Sequence, residues 1–241
     1  MKIYHSKLLT NFNNLIHGFT TKNEGNLAFH VEDNYLDVIK NHQLVASKFN
    51  YKLENLIHMK QIHSSDVHIV NINDNFNNPP ICDALITNKK NIPLMVMVAD
   101  CTPILFYDKT KKVIAVAHAG REGTFKNIVK NVIDRFTINY YSNVNDIIVC
   151  IGPSICQQCY EVNQEIYKNT IKLGLEYAIK KQENKYYLNI NKIIYNQLLE
   201  CKINQKNIEL SNECNSCNTK KYFSYRKTKK TGRFSGIIML R

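Results

Sequence analysis

The chain has 241 residues, 44% of them hydrophobic and 22% charged, with eight Gly and five Pro; this excludes a disordered or collagen-like chain and leaves apolar mass for one sizeable core. The formal net charge of +12 does not by itself specify nucleic acid, because Lys is abundant along the whole chain. The longest apolar run, residues 92–99, falls far short of the roughly 20 residues of a spanning helix, and the first 20 residues, broken by Asn and His, build no signal peptide.

No linker, internal repeat or low-complexity block divides the chain, so one domain over residues 1–241, in a cytoplasmic protein without membrane contact, is expected. Residues 57–70 and 85–87 read as strands, and the Asn-rich stretch 71–78 between them as a surface loop. Three short apolar runs, 92–98, 103–107 and 113–118, read as strands buried on both faces. After Gly120 and Gly123 the period changes. Ile128, Val129, Val132, Ile133 and Phe136 recur at helical spacing and predict one helix over 124–139. A strand at Ile147–Ile151, helices over 161–173 and 190–201, and a closing strand at Phe234–Leu240 follow. The alternation predicts an α/β or α+β fold, a mixed sheet flanked by helices.

Polar residues interrupt the buried runs at three predicted strand ends: Gln61-Ile62-His63, Ala99-Asp100-Cys101 and His118-Ala119-Gly120. Strand ends place reacting groups rigidly while the loops beyond them leave access. His63, Cys101 and His118 would form a three-ligand zinc set with a fourth position open, as in catalytic zinc sites. Their spacing matches no short zinc signature, so the residues alone leave a satisfied core histidine beside a buried thiol as an alternative. Eight cysteines without an export signal point to thiols or metal ligands rather than a disulfide framework. Two Cys-x-x-Cys pairs, Cys156/Cys159 and Cys214/Cys217, could hold a structural zinc, but lie much farther apart than the 15–20 residues, roughly, of a zinc ribbon. The run Lys220, Lys221, Arg226, Lys227, Lys229, Lys230 and Arg233 contains no acid and would attract phosphate.

The blocks HGFTT (17–21), QIHSSDV (61–67), CDALIT (82–87), VADCTPILFYD (98–108), VAHAGREGT (116–124), IGPSICQQCYEV (151–162) and YFSYRKTKKTGRFSGII (222–238) closely resemble the YfiH-like family, in its order and over almost the whole chain. That family is labelled both multicopper polyphenol oxidase or laccase and purine nucleoside phosphorylase. The resemblance implies zinc ligands at His63, Cys101 and His118. It also implies phosphorolysis of adenosine, inosine and methylthioadenosine to free base and ribose 1-phosphate, with adenosine deaminase activity at the same site, and a layered α/β sandwich similar to the catalytic domain of cytotoxic necrotizing factor. Where the family usually reads His-Ala-Gly-Trp-Arg-Gly, this chain has Arg121-Glu122 after Gly120; the family arginine's anion contact therefore does not transfer.

In that reading Asp100 orients a ligand or exchanges protons, Gln61 contacts base or ribose, and Arg121, Arg226 and Arg233 are the cationic candidates for phosphate. Copper could be taken up in vitro, but eight histidines without one His-x-His pair do not supply a laccase's copper centres. Two other classes stay open. A Cys-His amide hydrolase would use Cys101 as nucleophile and His118 as base, with no need of His63. A non-catalytic nucleic-acid-binding protein would use the basic run, although no recognised motif supports it. The partners expected are a purine nucleoside and phosphate, and the oligomeric state is left open.

Overall fold

The computed structural model describes residues 2–241. In chain order the elements are β1 (Leu15–Phe19), α1 (Tyr35–Phe49), β2 (Val67–Ile69), β3 (Ala84–Thr87), β4 (Leu94–Val98), β5 (Thr102–Asp108), β6 (Val113–Ala119), α2 (Arg121–Phe125) and α3 (Ile128–Tyr140). They continue with β7 (Ile147–Ile151), β8 (Glu161–Val162), α4 (Gln164–Lys172), β9 (Ile179–Gln182), β10 (Lys185–Leu188), α5 (Ile190–Glu200), β11 (Ile208–Leu210), α6 (Tyr225–Thr228) and β12 (Phe234–Leu240).

A six-stranded mixed sheet in the order β11-β7-β5-β6-β3-β2 forms the centre, parallel at its two outer pairs and antiparallel between. Because side chains alternate across a strand, the apolar run of β5 supplies both faces. Ile104 and Phe106 pack with Val129, Val132 and Phe136 of α3 and Ile194 and Leu198 of α5. Leu105 and Tyr107 pack with Phe19, Leu94, Val96, Phe234 and Ile238 of an antiparallel sheet ordered β1-β12-β4. The outer face of that second sheet, Met95, Met97 and Ile237, is covered by Val45 and Phe49 of α1. The result is a helix–sheet–sheet–helix sandwich, the layered mixed α/β architecture expected. A small sheet, β8-β10-β9, lies outside these layers. No helix among the described residues is long and apolar enough to cross a membrane.

The predicted strand over 57–70 is cut down to β2, with isolated bridges at Ile57 and Lys60. The amides of residues 62–64 are taken by the Asp83 carboxylate and His63 has φ 59°, which a ladder cannot accommodate. The single helix predicted over 124–139 is two, broken at Asn127, which sits in the left-handed region at φ 59° and caps α3 through its side chain. The helix predicted over 161–173 begins only at Gln164, because Glu161–Val162 pair with β10. The Asn-rich loop is held by Asx turns at Asn71 and Asn75, whose side-chain oxygens accept from the amides of Asn73 and of Asn77 and Asn78. The helix α1 and the strand β1 have no counterpart among the predicted elements.

Candidate active site

The antiparallel register explains why residues so distant in sequence meet. Thr102, at the start of β5, pairs with Ala119 at the end of β6, and Ala84, at the start of β3, pairs with Ala117. One end of the central sheet therefore gathers Cys101, His118 and Asp83, with the His118 amide donating to the Asp83 carbonyl at 2.8 Å. The turn carrying His63 folds over the same end.

The donor atoms of His63, Cys101 and His118 all lie within 4.8 Å of one another, and Cys101 Sγ is 4.0 Å from His63 Nε2. His118 Nδ1 bonds Asp83 Oδ1 at 2.7 Å, which turns Nε2 toward the other two donors. Burial opposes charge on Cys101 and His118 alike. Even so, the His118 charge and the hydrogen bonds from both histidines hold the Cys101 thiol well below its usual range, while the Cys101 thiolate and Asp83 raise His118. A thiolate and two imidazoles, one backed by a carboxylate, are a donor set that could hold one metal ion. Metal binding would release the His118 Nε2 proton, since only the neutral ring donates its lone pair.

Asp83 is the residue that sequence reasoning missed. Its buried carboxylate bonds His118 and accepts three successive amides, Ile62 at 3.2 Å, His63 at 3.0 Å and Ser64 at 2.6 Å. It thus fixes both the His118 tautomer and the left-handed His63 backbone. The only signal in the sequence was a carboxylate at the mouth of an apolar strand, in CDALIT. Gly120 lets the turn pack closely on the donor set: a Cβ there would sit 3.0 Å from His63 Cδ2 and 3.1 Å from Cys101 Sγ and would push both side chains aside. At Gly123 it would meet the Ser64 carbonyl at 2.6 Å.

These groups open onto a cavity of about 650 Å³ that is also lined by His30, Gln61, Asp100, Arg121, Tyr160, Tyr225, Arg226 and Arg233. All the sequence-predicted site residues thus converge, although their polar groups differ in freedom. The Gln61 amide is occupied at both ends by the Met97 backbone, donating to its carbonyl at 2.8 Å and accepting from its amide at 2.9 Å. The Asp100 carboxylate accepts from Asn215 Nδ2 (3.0 Å), Ser224 Oγ (2.6 Å) and the Arg226 amide (2.6 Å). Arg121 is ion-paired with Glu122 at 2.6 Å. The Arg226 guanidinium lies over the Tyr160 ring, 5.3 Å from its centroid, and Arg233 Nη1 donates to the carbonyls of Thr231 and Gly232.

The family model described as multi-copper polyphenol oxidoreductase laccase matches residues 17–241. The chain belongs to this family, the YfiH family. Among curated relatives, a purine nucleoside phosphorylase of Bacillus subtilis named YlmD is 32% identical over 95% of this chain and 90% of its own length. A purine nucleoside phosphorylase of Campylobacter jejuni is 35% identical over 78% of this chain and 79% of its own. The crystal structure of a Bacillus licheniformis protein named YfiH superposes with a TM-score of 0.90 at 30% identity, covering 95% of this chain and 94% of that one. YlmD from Geobacillus stearothermophilus gives 0.89 at 26% identity, covering 98% and 94%. The family description names copper. In this YfiH-family chain, however, the groups of three or more potential ligands among the described residues are the His-Cys-His set and a set of four thiols, not the histidine-rich clusters of a copper oxidase.

Proposed function

We propose that the protein is a zinc-dependent purine nucleoside phosphorylase, acting on adenosine, inosine and methylthioadenosine, with adenosine deaminase activity at the same site. The observation that carries the proposal is the convergence of His63, Cys101 and His118 on a cavity that also receives three arginines. The naming of the relatives as purine nucleoside phosphorylases supports it.

His63, Cys101 and His118 would hold the metal, which when bound supplies Lewis acidity at the reacting centre. In phosphorolysis a phosphate oxygen bonds to C1′ as the C1′–N9 bond breaks, and the purine leaves with the electron pair and takes up a proton. Arg226 and Arg233 bind and orient the phosphate anion, and cationic donors placed in advance lower the cost of the charge that develops. Arg121 adds to them to the extent that Glu122 releases it. Tyr160 holds the Arg226 guanidinium by its face, while Asp83 keeps His118 Nε2 directed at the cavity. Gln61 and Asp100 act through structure in this reading, one locking the Met97 edge and the other the Arg226 turn. In deamination, water adds at C6 and ammonia leaves.

One observation favours a second reading. Asp83, His118 and Cys101 form a carboxylate–imidazole–thiolate series, the arrangement of a nucleophilic cysteine amidase. The deciding experiment incubates metal-analysed protein with adenosine and inosine, with and without phosphate, following base, ribose 1-phosphate and inosine. Phosphate-dependent base release is expected, and Cys101→Ala should lose metal and activity together. Inosine formation without any phosphate effect would reduce the assignment to a deaminase. Full metal retention in inactive Cys101→Ala would favour the amidase.

A further inference from the structure

Away from the cavity floor, the two Cys-x-x-Cys pairs meet. Cys156 and Cys159 follow β7, Cys214 and Cys217 follow β11, and these two strands are parallel neighbours. A bridge between Ser154 and Cys214 prolongs the pairing past the strand ends, with Ser154 N donating to the Glu213 carbonyl and Asn215 N to the Ser154 carbonyl. Both knuckles therefore leave the sheet side by side. The long sequence between them is a crossover containing α4, the small sheet and α5, which is why ribbon spacing does not apply.

All four sulfurs lie within 4.8 Å of one another. Cys217 Sγ is 3.3 Å from Cys159 Sγ and 3.9 Å from Cys156 Sγ, far beyond a bond of about 2.05 Å, and all four thiols are free. Four sulfurs placed tetrahedrally at about 2.3 Å from one zinc ion stand about 3.8 Å apart, so the observed spacing suits a single ion. An iron–sulfur cluster, whose thiolates ligate separate irons, would hold them farther apart. Two amides, of Cys156 (3.2 Å) and Cys217 (3.4 Å), donate to Cys214 Sγ, and such donors favour a sulfur that carries negative charge.

We propose that Cys156, Cys159, Cys214 and Cys217 form a second metal site, a structural zinc centre of four thiolates, separate from the His63–Cys101–His118 set. Its two arms carry residues that grip Asp100, next to Cys101. Ile155 N donates to the Asp100 carbonyl at 3.0 Å and Asn215 Nδ2 to its carboxylate at 3.0 Å. Asp100 is held at φ 96°, a conformation a non-glycine residue keeps only when its surroundings impose it. The ion ties the ends of β7 and β11 to that turn.

The test is native mass spectrometry with elemental analysis of the full-length protein, purified without chelator. Two zinc ions per chain are expected in the wild type, one in Cys101→Ala, and one in the Cys214→Ser, Cys217→Ser double variant. Because Cys101→Ala keeps this ion and loses the other, failure at the active site is separable from failure here. Should the double variant not fold, cobalt substitution of Cys101→Ala decides, since the remaining ion must show the intense thiolate-to-cobalt absorption of a four-sulfur site. At most one zinc in the wild type with none in Cys101→Ala, iron in place of zinc, or alkylation of the native protein showing these cysteines paired as disulfides would each overturn the proposal.

Discussion

Replacing Asp83 by Asn keeps the shape of the side chain and removes the charge on which the site is built. Oδ1 receives His118 Nδ1 and the His63 amide, and Oδ2 receives the amides of Ile62 and Ser64. Either orientation of an amide places an NH2 group against donors. With NH2 in the Oδ2 position, two backbone N–H groups lose their acceptor, at about 1–3 kcal/mol each. With NH2 in the Oδ1 position, the His63 amide loses its acceptor and His118 must accept at Nδ1, moving the proton to Nε2, the atom that faces Cys101. A destabilisation of about 3–5 kcal/mol follows, the range for breaking a buried charged pair, with a 10- to 100-fold loss of zinc affinity, roughly, from the lost orientation of His118. Urea unfolding of metal-free protein reads the first and competition with a chromogenic chelator the second. A change below about 1 kcal/mol with unaltered zinc affinity would refute the role given to Asp83.

Gly120→Ala has an ordinary backbone at φ −73°, so its effect should be confined to crowding of His63 and Cys101. Zinc affinity and kcat are expected to fall at least tenfold while Tm moves by only a few degrees. Glu122→Gln should free Arg121 from its ion pair and lower the phosphate KM several-fold at similar kcat, whereas an unchanged KM would place Arg121 outside phosphate binding. His17 and His42 are buried, and burial lowers both to about 4. Their stabilisation is therefore complete above the unfolded value near 6.5 and is lost as pH falls toward 4, about 3 kcal/mol for each. Urea midpoints at pH 7 and pH 4.5 should show this decline, and His42→Gln should flatten it.

The strands β4 to β7 were legible because both of their faces are buried, so each is dominated by an apolar run, and β12 was legible from its apolar end, Ile237 to Leu240. The helix α1 was hidden because a histidine occupies its core stripe. His42 lies among Val38, Val45, Ala46 and Phe49, with its ring stacked on Phe29, and only the packed structure shows that its Nε2 finds a partner in the Leu27 carbonyl. In β1 the sequence His17-Gly18 breaks the pattern likewise, although a Cβ at Gly18 would press on Ile3 and Phe49. Asp100 and Asp83 look alike in sequence, each a carboxylate at the edge of an apolar run. Pairing of β3 with β6 puts Asp83 behind His118, while Asp100 is turned toward Asn215 and Ser224.

What the sequence by itself determined is therefore local: the apolar runs that must become buried strands, the polar residues at their ends, and the donor types suited to a metal. Which of those residues touch was decided by the tertiary structure. Antiparallel register brings the ends of β3, β5 and β6 to one side of the sheet, and parallel pairing of β7 with β11 joins two thiol pairs that no sequence spacing connects. Side-chain chemistry is a property of each residue, whereas proximity across a sheet is fixed by register, which depends on burying every strand at once.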